Sequence, residues 1–281
     1  MTEALPPARV IRALTSDRQI RLAALNASPL WDGVRRGHPH LEASACAPLV
    51  ELMAAAALLQ SRNFFSERLQ LLVKSAGRAT AIVADAWPQG DIRGVLDPDP
   101  AQETGPWMVA PGTLQVMRSN PAGQPYIGML DLVAGGIGAQ VEAYLLQSEQ
   151  VQASISLWCD PSTGESGGLL VEPLPNCPPE RLATLVQAVE GLEVVPHWER
   201  TPEFLATWIN AGPGVELLAA MDLKYHCRCT REALVDTLGA FDDARRTELF
   251  PGEAPVEVRC DYCGKVYRIT REDLRRVEER P

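Results

Sequence analysis

The stretch Leu49-Val-Glu-Leu-Met-Ala-Ala-Ala-Ala-Leu-Leu-Gln60 decides how the chain folds. Its residues are strong helix formers, and apolar side chains occur almost all the way round the helix they would make. Such a helix has no face for water, so it predicts a buried element that the rest of the chain must cover. N-terminal to it, Arg9-Val-Ile-Arg-Ala-Leu14 and Gln19-Ile-Arg-Leu-Ala-Ala24 flank the polar turn Thr15-Ser-Asp-Arg18, which predicts a hairpin. C-terminal to it, five strand-like runs are expected between residues 68 and 132. They include Leu69-Gln-Leu-Leu-Val73, Thr80-Ala-Ile-Val-Ala84 and Tyr126-Ile-Gly-Met-Leu130, punctuated by Gly, Pro and Asp. A helix near 139–147 and strands near 151–159 and 168–174 complete an α+β domain with a mostly antiparallel sheet.

Beyond Pro173 the texture changes. Pro173, Pro175, Pro178 and Pro179 mark a boundary, and two amphipathic helices follow: Glu180-Arg-Leu-Ala-Thr-Leu-Val-Gln-Ala-Val189 and Glu203-Phe-Leu-Ala-Thr-Trp-Ile209. The expected organisation is an N-terminal domain over 1–175, a helical linker over 176–222 and a small C-terminal domain over 223–281. Leu182, Leu185 and Val189 form the apolar stripe of the first linker helix. It either packs on the sheet domain or meets a partner, which makes it the candidate partner-binding or regulatory surface. In the last part a helix follows Thr230, strands surround Val256/Val258 and Val266/Tyr267/Ile269, and Thr270-Arg-Glu-Asp273 reads as a capping box.

Four of the seven cysteines fall in this last part, as Cys227-x-Cys229 and Cys260-x-x-Cys263-Gly264, with 30 residues between the pairs. Four clustered thiols in a reducing compartment indicate a metal site or redox chemistry, and thiolates in a tetrahedral set suit zinc. In Cys-x-x-Cys-Gly both sulfurs reach one ion, and the glycine permits a positive φ as the chain leaves the turn. In an extended Cys-x-Cys the two sulfurs share one face. The same neighbours can close short disulfides once a metal leaves, so a permanent zinc clip and a pair of dithiol switches both remain open. Cys46, Cys159 and Cys177 lack partners at metal spacing, and His226 receives no role.

The chain has 281 residues and a net charge of −10. Residues 222–281 hold 12 basic and 13 acidic side chains, leaving 14 and 23 in residues 1–221, so neither part presents a basic excess for nucleic acid. The unbroken apolar run Leu52 to Leu59 falls short of the ~18 residues of a membrane span. Met1-Thr-Glu-Ala-Leu-Pro-Pro lacks the form of a signal peptide, which predicts a cytoplasmic protein. Gly164-Glu-Ser-Gly-Gly168 matches a nucleophile elbow, but strand-like residues follow where a helix is required. Gly135-Gly-Ile-Gly138 resembles a dinucleotide loop without its third glycine, and reads as a turn. No enzymatic site is expected.

With these residues in view, the sequence closely resembles the 33 kDa chaperonin family, the bacterial redox-regulated holdases. The cysteine pairs carry the resemblance, supported by Gly90-Asp-Ile-Arg-Gly94, Tyr126-Ile-Gly128, Ser148-Glu-Gln150 and Ser166-Gly-Gly-Leu-Leu170. It implies an ATP-independent chaperone that keeps unfolding, oxidatively damaged clients from aggregating. The reduced form would be inactive and hold one zinc on Cys227, Cys229, Cys260 and Cys263. Oxidation under unfolding stress would release the metal, form disulfides Cys227–Cys229 and Cys260–Cys263, loosen the linker and expose apolar surface. The resemblance leaves room for a homodimer of the oxidised form. Two other readings stand beside it: a permanent structural zinc with a non-chaperone binding role, and a thiol-disulfide oxidoreductase.

Overall fold

The structure is a computed structural model that describes residues 8–62, 68–119, 123–175, 177–209, 214–252 and 254–278. The first seven residues, on which the reading against a signal peptide rests, lie outside the described residues. The chain divides into two compact units, Met1–His226 and Cys227–Pro281.

The first unit opens with the expected hairpin, β1 (Arg9–Thr15) and β2 (Ile20–Asn26). Its turn is held by Asp17, whose carboxylate accepts from the Gln19 amide at 3.0 Å. Helices α1 (Ser28–Gly37) and α2 (Ala43–Ser61) follow, then β3 (Arg68–Ser75), β4 (Ala79–Ala86), β5 (Asp91–Pro98), β6 (Gly112–Ser119) and β7 (Tyr126–Asp131). After α3 (Ile137–Glu149) come β8 (Ser154–Cys159) and β9 (Ser166–Pro173). Helices α4 (Pro179–Glu190) and α5 (Pro202–Trp208) lead to β10 (Val215–Asp222) and β11 (Lys224–Tyr225).

Two sheets result, with strand orders β10-β1-β2-β9-β8 and β11-β5-β4-β3-β6-β7. Every pairing is antiparallel except β11 with β5. Helix α2 runs between them, touching β2, β8 and β9 of one sheet and β3, β4 and β5 of the other. That placement explains its apolar circumference: residues 52–61 are all buried. Two glycines let it approach. A Cβ on Gly94 of β5 would sit 2.7 Å from Leu49 Cδ1, and one on Gly168 of β9 would sit 2.9 Å from Leu58 Cδ1. Both glycines belong to the short strings that carried the family resemblance.

Strand alternation then divides the first sheet. Val10, Ala23 and Leu25 face α2, whereas Ile11, Ala13, Leu22, Ala24, Leu169 and Val171 form a second core. Leu185 and Val189 of α4, Leu205 and Ala206 of α5, and Leu192 and Val195 between them cover that second face.

Several boundaries depart from expectation. Helix α2 begins at Ala43 and carries Pro48 inside, because burial on all sides outweighs one lost backbone bond. Averaged over a window instead of an unbroken run, α2 is long and apolar enough to cross a membrane, but 72% of that window is buried in the protein and it serves as a core helix. The helical stretch expected to residue 222 ends in strand β10, whose edge pairing with β1 supplies its backbone partners.

The second unit contains α6 (Arg231–Gly239), α7 (Asp243–Leu249), the hairpin β12 (Val256–Arg259) and β13 (Val266–Ile269), and α8 (Arg271–Glu278). The capping box forms at α8: Asp273 Oδ2 accepts from the Thr270 amide at 2.8 Å, and the Asp273 amide donates to Thr270 Oγ1 at 3.3 Å. Among the described residues the buried apolar cluster of this unit is Val235, Phe250, Ile269 and Leu274, with Leu234, Leu238, Val256 and Val258 packed against it.

Candidate metal centre

Cys227 and Cys229 lie in the irregular segment after β11, and Cys260 and Cys263 in the loop that joins β12 to β13. The loop is a tight knuckle in which the amides of Cys263 and Gly264 both donate to the Cys260 carbonyl, at 3.4 and 2.8 Å. The Cys260 amide donates across it to the Lys265 carbonyl at 2.9 Å. Gly264 leaves the turn at φ +69°, the left-handed conformation anticipated for it.

All four sulfurs fall within 4.8 Å of one another. The contacts at 3.6 Å (Cys227–Cys260) and 3.5 Å (Cys229–Cys263) run between the pairs and not within them. A tetrahedral ion with Zn–S bonds of about 2.3 Å places its sulfurs about 3.8 Å apart, so these spacings suit a single four-coordinate ion. An all-sulfur donor set is compatible with zinc and disfavours hard cations.

Electrostatics differentiate the thiols. Burial pushes Cys260 up to about 11 and Cys263 still further. Burial opposes ionisation of Cys229 too, but hydrogen bonds from Tyr267 and Cys263 outweigh it and hold this thiol below its ordinary value. The sequence placed Tyr267 only as a strand residue, with no part in the site. Its hydroxyl lies 3.2 Å from the Cys229 sulfur and donates to the Cys229 carbonyl at 2.9 Å. The available signal was strand alternation in β13, which turns Tyr267 inward with Ile269.

Other singled-out residues lie elsewhere. His226 Nδ1 lies 3.3 Å from Asp91. Cys46 is buried in the α2 core, while Cys159 and Cys177 are half-buried and stand apart from the cluster. Leu185 and Val189 are buried against the first sheet, and Leu182 packs at the margin of that core. Ser166 begins a strand instead of turning into a helix. The Gly135–Gly138 loop is filled by Gln140, whose Nε2 donates to the carbonyls of Val133, Gly135 and Gly136 at 2.9, 3.3 and 3.3 Å.

Comparison with known proteins places this architecture. Residues 8–270 match the family model described as Hsp33 protein. The 33 kDa chaperonin of Deinococcus radiodurans is 30% identical over 96% of this chain and 98% of its own length. A 33 kDa chaperonin of Thermus thermophilus is 31% identical over 95% of this chain and 85% of its own length. The crystal structure of a 33 kDa chaperonin (heat shock protein 33 homolog) from Thermotoga maritima superposes with a TM-score of 0.81 over 97% of this chain and 98% of that one. At 21% identity that last similarity speaks to the fold. The chain belongs to the Hsp33 family.

Proposed function

We propose that this member of the Hsp33 family is an ATP-independent holdase chaperone switched on by oxidation, a cytoplasmic protein without enzymatic activity. The names of its relatives, 33 kDa chaperonins, support the chaperone class. The observation that carries the switch is the four-sulfur cluster in a unit whose buried apolar cluster, among the described residues, is four side chains. Domains this small rarely fold on an apolar core alone. Zinc, when bound to Cys227, Cys229, Cys260 and Cys263, supplies a tetrahedral cross-link with ~10 kcal/mol or more of folding free energy.

The chain's own steps are two thiol oxidations. Cys227 with Cys229, and Cys260 with Cys263, each give two electrons and two protons to one hydrogen peroxide, forming one disulfide and two waters per pair. A disulfide inside Cys-x-Cys draws the sulfurs away from their partners across the cluster, so the second unit loses its cross-link. The division into a core over 1–175, a regulatory linker over 176–222 and a redox segment over 223–281 belongs to the same reading. Release of the linker exposes Leu182, Leu185, Val189 and the sheet face beneath them to unfolding clients. A homodimer of the oxidised form is compatible with this scheme, and neither nucleic acid nor membrane is among its partners.

The test is aggregation of a thermally unfolding client without ATP, comparing reduced, zinc-loaded protein with peroxide-treated protein. Protection after oxidation alone, with disulfides mapped to 227–229 and 260–263, is the expected result. Equal protection in both states sinks the redox latch, and protection in neither returns the site to a structural zinc.

A further inference from the structure

A cavity of about 330 Å³ opens in the first unit where β8, β9 and the start of α1 meet residues 197–203. That volume lies in the range of small-molecule sites, ~300–1,000 Å³. Two tryptophans line it: Trp158 is 6% exposed and Trp198 68%. His197 stacks on Trp158 with ring centres 6.2 Å apart, and the guanidinium carbon of Arg200 lies 5.0 Å from the Trp158 ring centre.

Arg200 is the unusual member. It is 8% exposed, and its Nε donates to the Val195 carbonyl at 2.8 Å. No carboxylate lies within ion-pair distance of it among the described residues, Glu193 acting on it only from further away, and its Nη groups find no protein acceptor there. The body of the side chain is packed away while its Nη groups reach the cavity, so a partner for them has to enter from the solvent side. A buried guanidinium with unused donors, lining an aromatic-walled cavity, is therefore built for an anion that comes from outside. The Ser166 hydroxyl, buried and with only the Cys159 thiol beside it, lines the same cavity.

The remaining charges narrow the ligand. Arg9 is engaged with Asp222 at 3.5 Å, and Glu165 and Glu203 also border the cavity. Among the described lining residues one guanidinium lacks an ion pair, and Glu165, Glu203 and the more distant Glu193 limit what it can hold to a single negative charge and disfavour a dianion. We propose that this cavity binds an aromatic monocarboxylate, its carboxylate taking the Nη donors of Arg200 and its ring packing against Trp158 and Trp198. Strand residues and residues 197–203 contribute jointly, so the ligand cross-links that segment to the first sheet. This site is independent of the cysteine cluster.

The test is isothermal titration of the full-length reduced chain with 2-naphthoate and, in parallel, with uncharged 2-naphthylmethanol. Saturable binding at one site per chain is expected, with the alcohol weaker by about tenfold or more, the value of a charge-assisted pair. Arg200→Gln should lose the preference for the carboxylate. Trp198→Ala removes an exposed side chain, leaves the fold intact and should weaken both ligands. Absence of saturable binding, equal affinity for acid and alcohol, or unchanged affinity in Trp198→Ala would each overturn the proposal, whether or not the arginine variant folds.

Discussion

The hydroxyl of Tyr267 donates to the Cys229 carbonyl at 2.9 Å while lying 3.2 Å from the Cys229 sulfur, so one side chain ties β13 to the Cys-x-Cys segment. Groups that orient a metal's ligands matter nearly as much as the ligands, and losing one typically costs about 10–100-fold in affinity. Tyr267→Phe keeps the ring and removes the hydroxyl. It should lower zinc affinity about tenfold, read by competition with a chromophoric chelator. Unchanged affinity would reduce Tyr267 to a packing residue.

Metal removal should act on one unit only. With a small apolar cluster around Val235, Phe250, Ile269 and Leu274 among the described residues, the second unit is expected to depend on the cross-link, whereas the first surrounds α2 with two sheets. After chelation under reducing conditions, amides of α6 and β13 should lose hydrogen-exchange protection while α2 keeps its own. Full protection of both units without metal would show that the small core suffices.

How much of this could be read beforehand follows physical lines. The all-round apolar surface of α2 is a local property of twelve consecutive residues, and it correctly announced a helix enclosed on every side. The Cys-x-x-Cys-Gly turn is local too, and its geometry followed from spacing. Strand β10 was missed because it is an edge strand without clean alternation, with Leu217 64% and Leu218 49% exposed. Arg200 and Ser166 were not legible as a pair, since 33 residues lie between them and only the fold places both on one cavity.

Glu51 makes stability depend on pH. Burial among apolar neighbours pushes its carboxyl from 4.5 up to about 7. Below about pH 4 the group is protonated in folded and unfolded chains alike and carries no penalty. Between the two values the folded chain holds a proton that the unfolded chain has released, so stability falls as pH rises and the loss is complete above about 7. Glu51→Gln should therefore stabilise the first unit by up to about 3 kcal/mol at pH 8 and be nearly neutral at pH 4. Urea unfolding of both proteins across that range checks it, and parallel pH profiles would mean that Glu51 is well solvated when folded.

The last prediction concerns what covers the first sheet. Leu185 is 1% exposed and Val189 6%, packed on the face built from Leu22, Ala24, Leu169 and Val171. A charge at position 185 cannot stay in that interface, because an unpaired buried carboxylate costs more than the docking of one helix returns. Leu185→Asp should therefore lift α4 from the sheet, seen as faster proteolysis between residues 179 and 190. If docking of the linker is what silences the reduced protein, this variant suppresses client aggregation with its metal bound and no oxidant present. Val194→Asp, at a side chain already 85% exposed, should behave as the parent does. A Leu185→Asp protein with its linker released and its core still folded, yet inactive until oxidised, would show that the linker does not mask the client surface.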